Sequence, residues 1–194
     1  ILFLAPMAIS SPDYIVGQYH EWFGSLVAKN TENIHSIAQN ISLLGLVRRT
    51  TGCMEYSDLW LILPGMLLFA IPYLRFSQYK NLAFRETILA SVLMFVILFS
   101  TGSESSGYII ALIGACIWYT IVPWKRGRWA VALMVFVFLL SGMGNSDLIP
   151  KWIRHDYIQP YALRALPISI LWLWLCYELC TKDYAPIEKV EAYE

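Results

Sequence analysis

The chain has 194 residues, with 14 basic and 14 acidic side chains, so its formal charge is zero and a nucleic-acid partner has no electrostatic support. Hydrophobic residues make up 58% and charged residues 14%, at a mean hydropathy of +0.54, which excludes an ordinary soluble core and points to an integral membrane protein. Cys53, Cys116, Cys176 and Cys180 follow neither a metal spacing nor a disulfide framework, and His20, His35 and His155 form no metal constellation. The expected fold class is all-α, a polytopic transmembrane helical bundle with interfacial amphipathic helices on its outer face.

Residues 1–10 are apolar but only half the length of a span, and they read as the end of a truncated transmembrane helix. On that reading the chain is the C-terminal part of a larger protein. Residues 11–56 are a polar interruption, expected on the outer face as two helices. Ser11-Pro12-Asp13 offers an N-cap, a proline at the first helical position and an acid in the first turn. Ile15, Tyr19, Trp22, Phe23, Leu26 and Val27 then recur at helical spacing opposite Gln18, Glu21, Ser25 and Lys29, the pattern of a helix lying in a membrane interface. Residues 29–33 are expected to interrupt it. In a second helix, His35, Gln39, Ser42 and Arg49 fall near one stripe, with Ile34, Ile37, Ala38, Ile41 and Leu44 on the apolar side. Such a stripe suits hydroxyl groups and a phosphate.

Five apolar blocks follow at residues 57–74, 87–101, 107–124, 129–143 and 166–180, and these form the expected five-span bundle over residues 57–180. Several fall short of the ~20 residues that a hydrocarbon core requires, so flanking Tyr, Trp and Ser would complete them. Pro64 and Pro72 predict a kink in the first. Arg75, Lys80 and Arg85 mark one hinge as cytoplasmic, and Lys125, Arg126 and Arg128 mark another, whereas residues 102–106 carry no basic side chain. Alternation then gathers residues 13–56, 102–106 and 144–165 on the outer face and leaves residues 181–194 as a cytoplasmic tail. Residues 145–157 mix Trp, Tyr and both charge signs, as in an interfacial helix or lid. Glu178 is expected to snorkel to the cytoplasm.

The amphipathic helix with Glu21-Trp22, followed by Gln39-Asn40-Ile41-Ser42-Leu43-Leu44-Gly45-Leu46 and the pair Arg48-Arg49, resembles the Asn/Gln-Ser-Leu segment of glycosyltransferase family 87. The similarity continues in the Ser-rich turn at residues 99–108, although the His residues often found there in the family are absent and Glu104 and Ser105 take their place. The resemblance implies a multi-pass enzyme of the GT-C class in the bacterial inner (plasma) membrane. It implies a polyprenyl-phosphate sugar as donor, a glycan or glycolipid as acceptor, the bilayer as partner and no certain cofactor or metal. It also implies a catalytic acidic residue in a first outer loop upstream of this chain, so the chain alone is expected to be inactive.

Within that scheme Arg48 and Arg49 are candidates for the donor phosphate, because guanidinium is a forked, permanently charged donor, although both would also serve as interfacial anchors. Gln39, Asn40 and Ser42 are candidates for sugar hydroxyls, with a helix cap as the competing reading. Glu104, Ser105 and His35 complete the expected substrate-binding set. A transporter or lipid-binding subunit is the alternative function; it would call for internal repeats or charges deep in the spans, and none is evident.

Overall fold

In a computed structural model, described here for residues 2–185, the chain is all-helical with no strand among the described residues. The helices are α1 (Pro12–His35), α2 (Leu43–Thr51), α3 (Leu59–Ala70), α4 (Leu82–Leu98), α5 (Tyr108–Thr120), α6 (Arg128–Phe136), α7 (Lys151–Ile153) and α8 (Ala165–Thr181). A 3-10 helix, Leu2–Ala8, precedes α1 and packs on it: the Tyr19 hydroxyl donates to the Phe3 carbonyl at 2.6 Å and the two rings meet edge to face.

Several sequence expectations are corrected. The first amphipathic helix is not interrupted at residues 29–33 but runs unbroken through 24 residues to His35. The break comes at residues 36–42, so His35 and Gln39 do not share a helix with Arg49. Ser42, whose short hydroxyl suits a cap better than a helix interior, starts α2 instead. The N-cap at Ser11 does form, its Oγ accepting from the Tyr14 N–H at 3.4 Å.

The apolar blocks become shorter helices than a span requires, and no helix among the described residues is long and apolar enough to cross a membrane. α4 and α8 reach 17 residues each. α3 stops after 12 and tightens into a 3-10 turn, Ile71–Leu74, where Pro72 cannot donate to the helical ladder. α6 passes into a π turn, Val137–Gly142. Residues 145–157 form only the three-residue α7 and a π turn, Arg154–Ile158, rather than a continuous interfacial helix.

The core is the α4–α5–α8 layer. Phe84, Met94 and Leu98 of α4, Trp118 of α5 and Ile168, Leu171 and Leu175 of α8 are buried. Small residues set its spacing. Ala90, Ala111, Gly114 and Ala115 let α4 and α5 meet backbone to side chain, and a Cβ on Gly114 would lie 2.9 Å from the Ala90 carbonyl oxygen. Trp172 crosses the layer, its indole N–H donating to Ser91 Oγ at 3.0 Å. The polar connections collect at two opposite ends of the bundle. At one end Arg75 caps α8, donating to the carbonyls of Leu179 (2.6 Å) and Lys182 (2.8 Å). Residues 36–42, the 102–106 turn and the 144–164 segment meet at the other.

Candidate functional site

The second of these ends is organised by the start of α2. Ser42 Oγ accepts from the Gly45 N–H at 3.1 Å and donates to Asn40 Oδ1 at 2.7 Å, while Asn40 Nδ2 donates to the Ile34 carbonyl at 3.3 Å. Both side chains are fully buried, and a Cβ on Gly45 would collide with the Asn40 carbonyl. Asn40 and Ser42 therefore close the break between α1 and α2 as buried structural contacts. The Ile41 backbone carries the junction onward: its N–H donates to the Ser103 carbonyl at 2.9 Å, and its carbonyl accepts from the Tyr108 hydroxyl at 2.8 Å.

Arg48 and Arg49 point in different directions, as adjacent helical residues must. Arg48 turns inward, with its side chain 2% exposed. Its Nε donates to the Met54 carbonyl at 2.9 Å, its Nη2 lies 2.8 Å from Asp58 Oδ1, and its guanidinium sits 4.6 Å above the Tyr56 ring. That geometry makes Arg48 a strut for the 52–58 turn. Arg49 turns the other way and bridges segments far apart in sequence: Nη2 donates to the Ser36 carbonyl at 2.6 Å and Nη1 to the Gln159 carbonyl at 3.2 Å. Burial and the neighbouring Arg48 charge both lower its pKa.

From Arg49 the polar contacts continue. Gln159 Nε2 donates to Asn145 Oδ1 at 3.3 Å, and Asn145 Nδ2 donates to Ser105 Oγ at 2.6 Å. Arg154 ties the same loop down by donating to the carbonyls of Asn145 and Ser146, each at 3.2 Å. Glu104, next to Ser105, is exposed and lines a cleft of about 270 Å³ together with Ser100, Gly102, Ser103 and Ser106. Gln39 is half-buried and His35 exposed. Among the expected substrate residues, then, Arg49 and Ser105 belong to one connected set of polar contacts, with Glu104 next to Ser105 in the chain but lining its own cleft, whereas Arg48, Asn40 and Ser42 are built into the scaffold.

One residue of this end was not anticipated. Arg164, just before α8, is 4% exposed; its Nε and Nη2 donate to the Ser141 carbonyl (3.0 and 2.8 Å), and its guanidinium lies 4.5 Å from the Tyr108 ring centroid. It forms no ion pair among the described residues, and its Nη1 has no hydrogen-bond partner there. Ala162 precedes it at φ +50°, a left-handed conformation that non-glycine residues seldom take and that functional turns often store. A signal was present in the sequence: Arg164 is a lone arginine beside the last apolar block, at the end that the basic-hinge rule assigns to the outside.

The model of glycosyltransferase family 87 matches residues 1–101, just over half of the 194-residue chain. The chain belongs to glycosyltransferase family 87. No curated protein and no solved structure matches it. The family 87 match takes in α1 to α4, including Gln39, Arg48 and Arg49, and stops at Thr101, immediately before the Glu104 turn. Its sequence partners at the polar end, Asn145, Gln159 and Arg164, lie beyond the matched residues.

Among the described residues no group of His, Cys, Asp and Glu could hold a metal ion. The acids and bases at the polar end instead offer an exposed carboxylate, a hydroxyl and amide pair, and two guanidinium groups without carboxylate partners. Such a set can hold hydroxyl groups and stabilise an anion.

Proposed function

We propose that this family 87 chain works as part of a multi-pass membrane glycosyltransferase of the GT-C class, moving a sugar from a polyprenyl-phosphate donor to a glycan or glycolipid acceptor. The observation that carries the reading is the linked surface Arg49–Gln159–Asn145–Ser105, with Glu104 beside it, at one end of a bundle whose exterior is apolar. On α3, Trp60, Leu63 and Leu67 are 78%, 58% and 66% exposed at helical spacing, and Ile109, Ile113, Trp129, Leu173 and Tyr177 extend that skin over the other helices. Exposed large apolar side chains in this density favour a lipid surround. Seventeen residues at ~1.5 Å rise reach only ~26 Å, so membrane placement of α4 and α8 calls for interfacial Trp and Tyr at their ends or a locally thinned bilayer.

In this scheme the bond between the anomeric carbon and the phosphate oxygen breaks as the acceptor oxygen bonds to that carbon, and the acceptor's hydroxyl proton passes to a carboxylate base. Negative charge gathers on the leaving polyprenyl phosphate. Arg49 and Arg164 supply positive charge at the polar end, where preorganised donors lower the barrier most. Ser105, Gln39 and His35 face hydroxyl groups of sugar or acceptor, and Glu104 accepts from an acceptor hydroxyl. Arg48 serves by fixing the 52–58 turn.

The test is transfer of radiolabelled sugar from polyprenyl-phosphate donors in membranes, with Arg49→Ala and Glu104→Gln compared with wild type at matched insertion. Loss of transfer in both with normal insertion is expected. Unchanged transfer in both would overturn the residue roles, and no transfer from any such donor by wild type within the intact protein would favour a transporter or lipid-binding subunit.

A further inference from the structure

The end of the bundle away from the candidate site holds a second feature. A pocket of about 450 Å³ lies between the 124–127 turn and the last turns of α8, and its charged lining consists of Lys125, Arg126, Lys182 and Glu178, walled by Trp174 and Tyr177. Glu178 does not snorkel to solvent as the sequence suggested. It is 3% exposed and occupied on both oxygens, Oε1 lying 2.6 Å from Arg126 Nη1 and Oε2 accepting from the Trp118 indole N–H at 2.8 Å. Arg126 is held in turn by stacking 3.8 Å from the Trp118 ring centroid and by donating from Nη2 to the Trp118 carbonyl. The carboxylate and guanidinium therefore cancel inside the wall.

What remains at the mouth is Lys125 and Lys182, both exposed, and neither is paired with a carboxylate among the described residues. They approach the pocket from two different segments. Two ammonium groups on flexible stems, over a rigid neutralised floor, make a concave cationic site. Trp124, Trp174 and Tyr177 give it an aromatic margin, the composition found where protein meets lipid headgroups. Basic pockets between helices at that level suit phosphate headgroups.

We propose that this pocket binds a phosphate group, carried by an anionic lipid headgroup or free in solution. The site lies away from the proposed transfer site and its test uses binding, so it stands or falls independently of the glycosyltransferase reading. The full chain in detergent is titrated with short-chain phosphatidylglycerol, with short-chain phosphatidylcholine and with inorganic phosphate. Saturable binding of phosphatidylglycerol but not of phosphatidylcholine is expected, and Lys125→Ala/Lys182→Ala should weaken it on the order of 30-fold, from about fivefold per lysine. Lys125→Arg/Lys182→Arg should keep most of the binding, and Lys151→Ala at the opposite end should leave it unchanged. Competition by inorganic phosphate would assign the site to free phosphate; its failure to compete would assign it to the lipid. Equal binding by wild type and the double alanine variant, or no binding of either phosphate source, would overturn the proposal.

Discussion

Arg48→Ala separates a strut from a substrate ligand. The side chain is 2% exposed and its partner Asp58 is 15% exposed, so the substitution leaves a mostly buried carboxylate without its counter-ion. Breaking a buried pair from one side costs about 3–5 kcal/mol, and the partial exposure of Asp58 argues for the lower figure. The Met54 and Tyr56 carbonyls lose their donor as well, at 2.9 and 3.3 Å. A loss of about 3 kcal/mol corresponds to a fall of on the order of 100-fold in the folded-to-unfolded ratio and to roughly 6–12 °C in Tm for a chain of this size. The assay is thermal unfolding of purified protein by circular dichroism, alongside sugar transfer in membranes. Asp58→Asn should cost less, because an amide can still accept from Arg48, and Arg48→Met/Asp58→Leu should recover most of the stability, since an apolar pair of similar volume replaces both charges. The strut role of Arg48 is overturned if Arg48→Ala abolishes transfer while Tm stays within about 1 °C of wild type, because a strut cannot be removed without loosening the turn it holds.

Ser42→Ala removes the cap of α2 and should lower stability by about 1 kcal/mol, read in the same unfolding assay, with no change in the affinity for donor. Gly114→Val should cost about 1–3 kcal/mol or more, because even the Cβ would stand 2.9 Å from the Ala90 carbonyl and two methyl groups follow it; a neutral result would mean that α4 and α5 are not in backbone contact. Tyr56 gives a pH signature. Burial pushes its hydroxyl up to about 12, with Arg48 pulling the other way, and that hydroxyl donates to the Leu44 carbonyl at 2.9 Å. Because the folded pKa is raised above the ordinary value of 10.0, the unfolded chain loses this proton first. Its stabilising contribution is whole below pH 10 and is lost as pH rises through about 12. Tyr56→Phe should flatten that part of the alkaline stability profile while leaving neutral-pH helix content unchanged.

The all-helical class, the cap at Ser11 and the polar character of the segment before the first apolar block followed from sequence alone, because composition, local hydrogen-bonding residues and periodicity act over a few residues. The family resemblance was likewise written in residues 39–49 and agrees with the match over residues 1–101. Helix limits were less legible. Hydropathy marks where apolar residues lie, not where Pro72 or a π turn ends the ladder, so five apolar blocks became helices too short to cross a membrane. The stripe from His35 to Arg49 failed for a related reason: helical spacing predicts a shared face only if the helix is continuous, and Ser42 does better as a cap than as an interior residue.

Tertiary structure alone decided which polar residues meet. Arg48 and Arg49 are indistinguishable by type and adjacent in sequence, yet one is enclosed by Asp58 and the other reaches Gln159, because the side-chain directions of neighbouring helical residues differ and packing decides which of them is covered. The same holds for Glu178, whose position near the end of an apolar block suggested solvent until Arg126 and Trp118 arrived from elsewhere in the chain to neutralise it. Sequence fixes which charges a chain carries; the pairing that sets their cost and their use is non-local, and it exists only once the helices have packed.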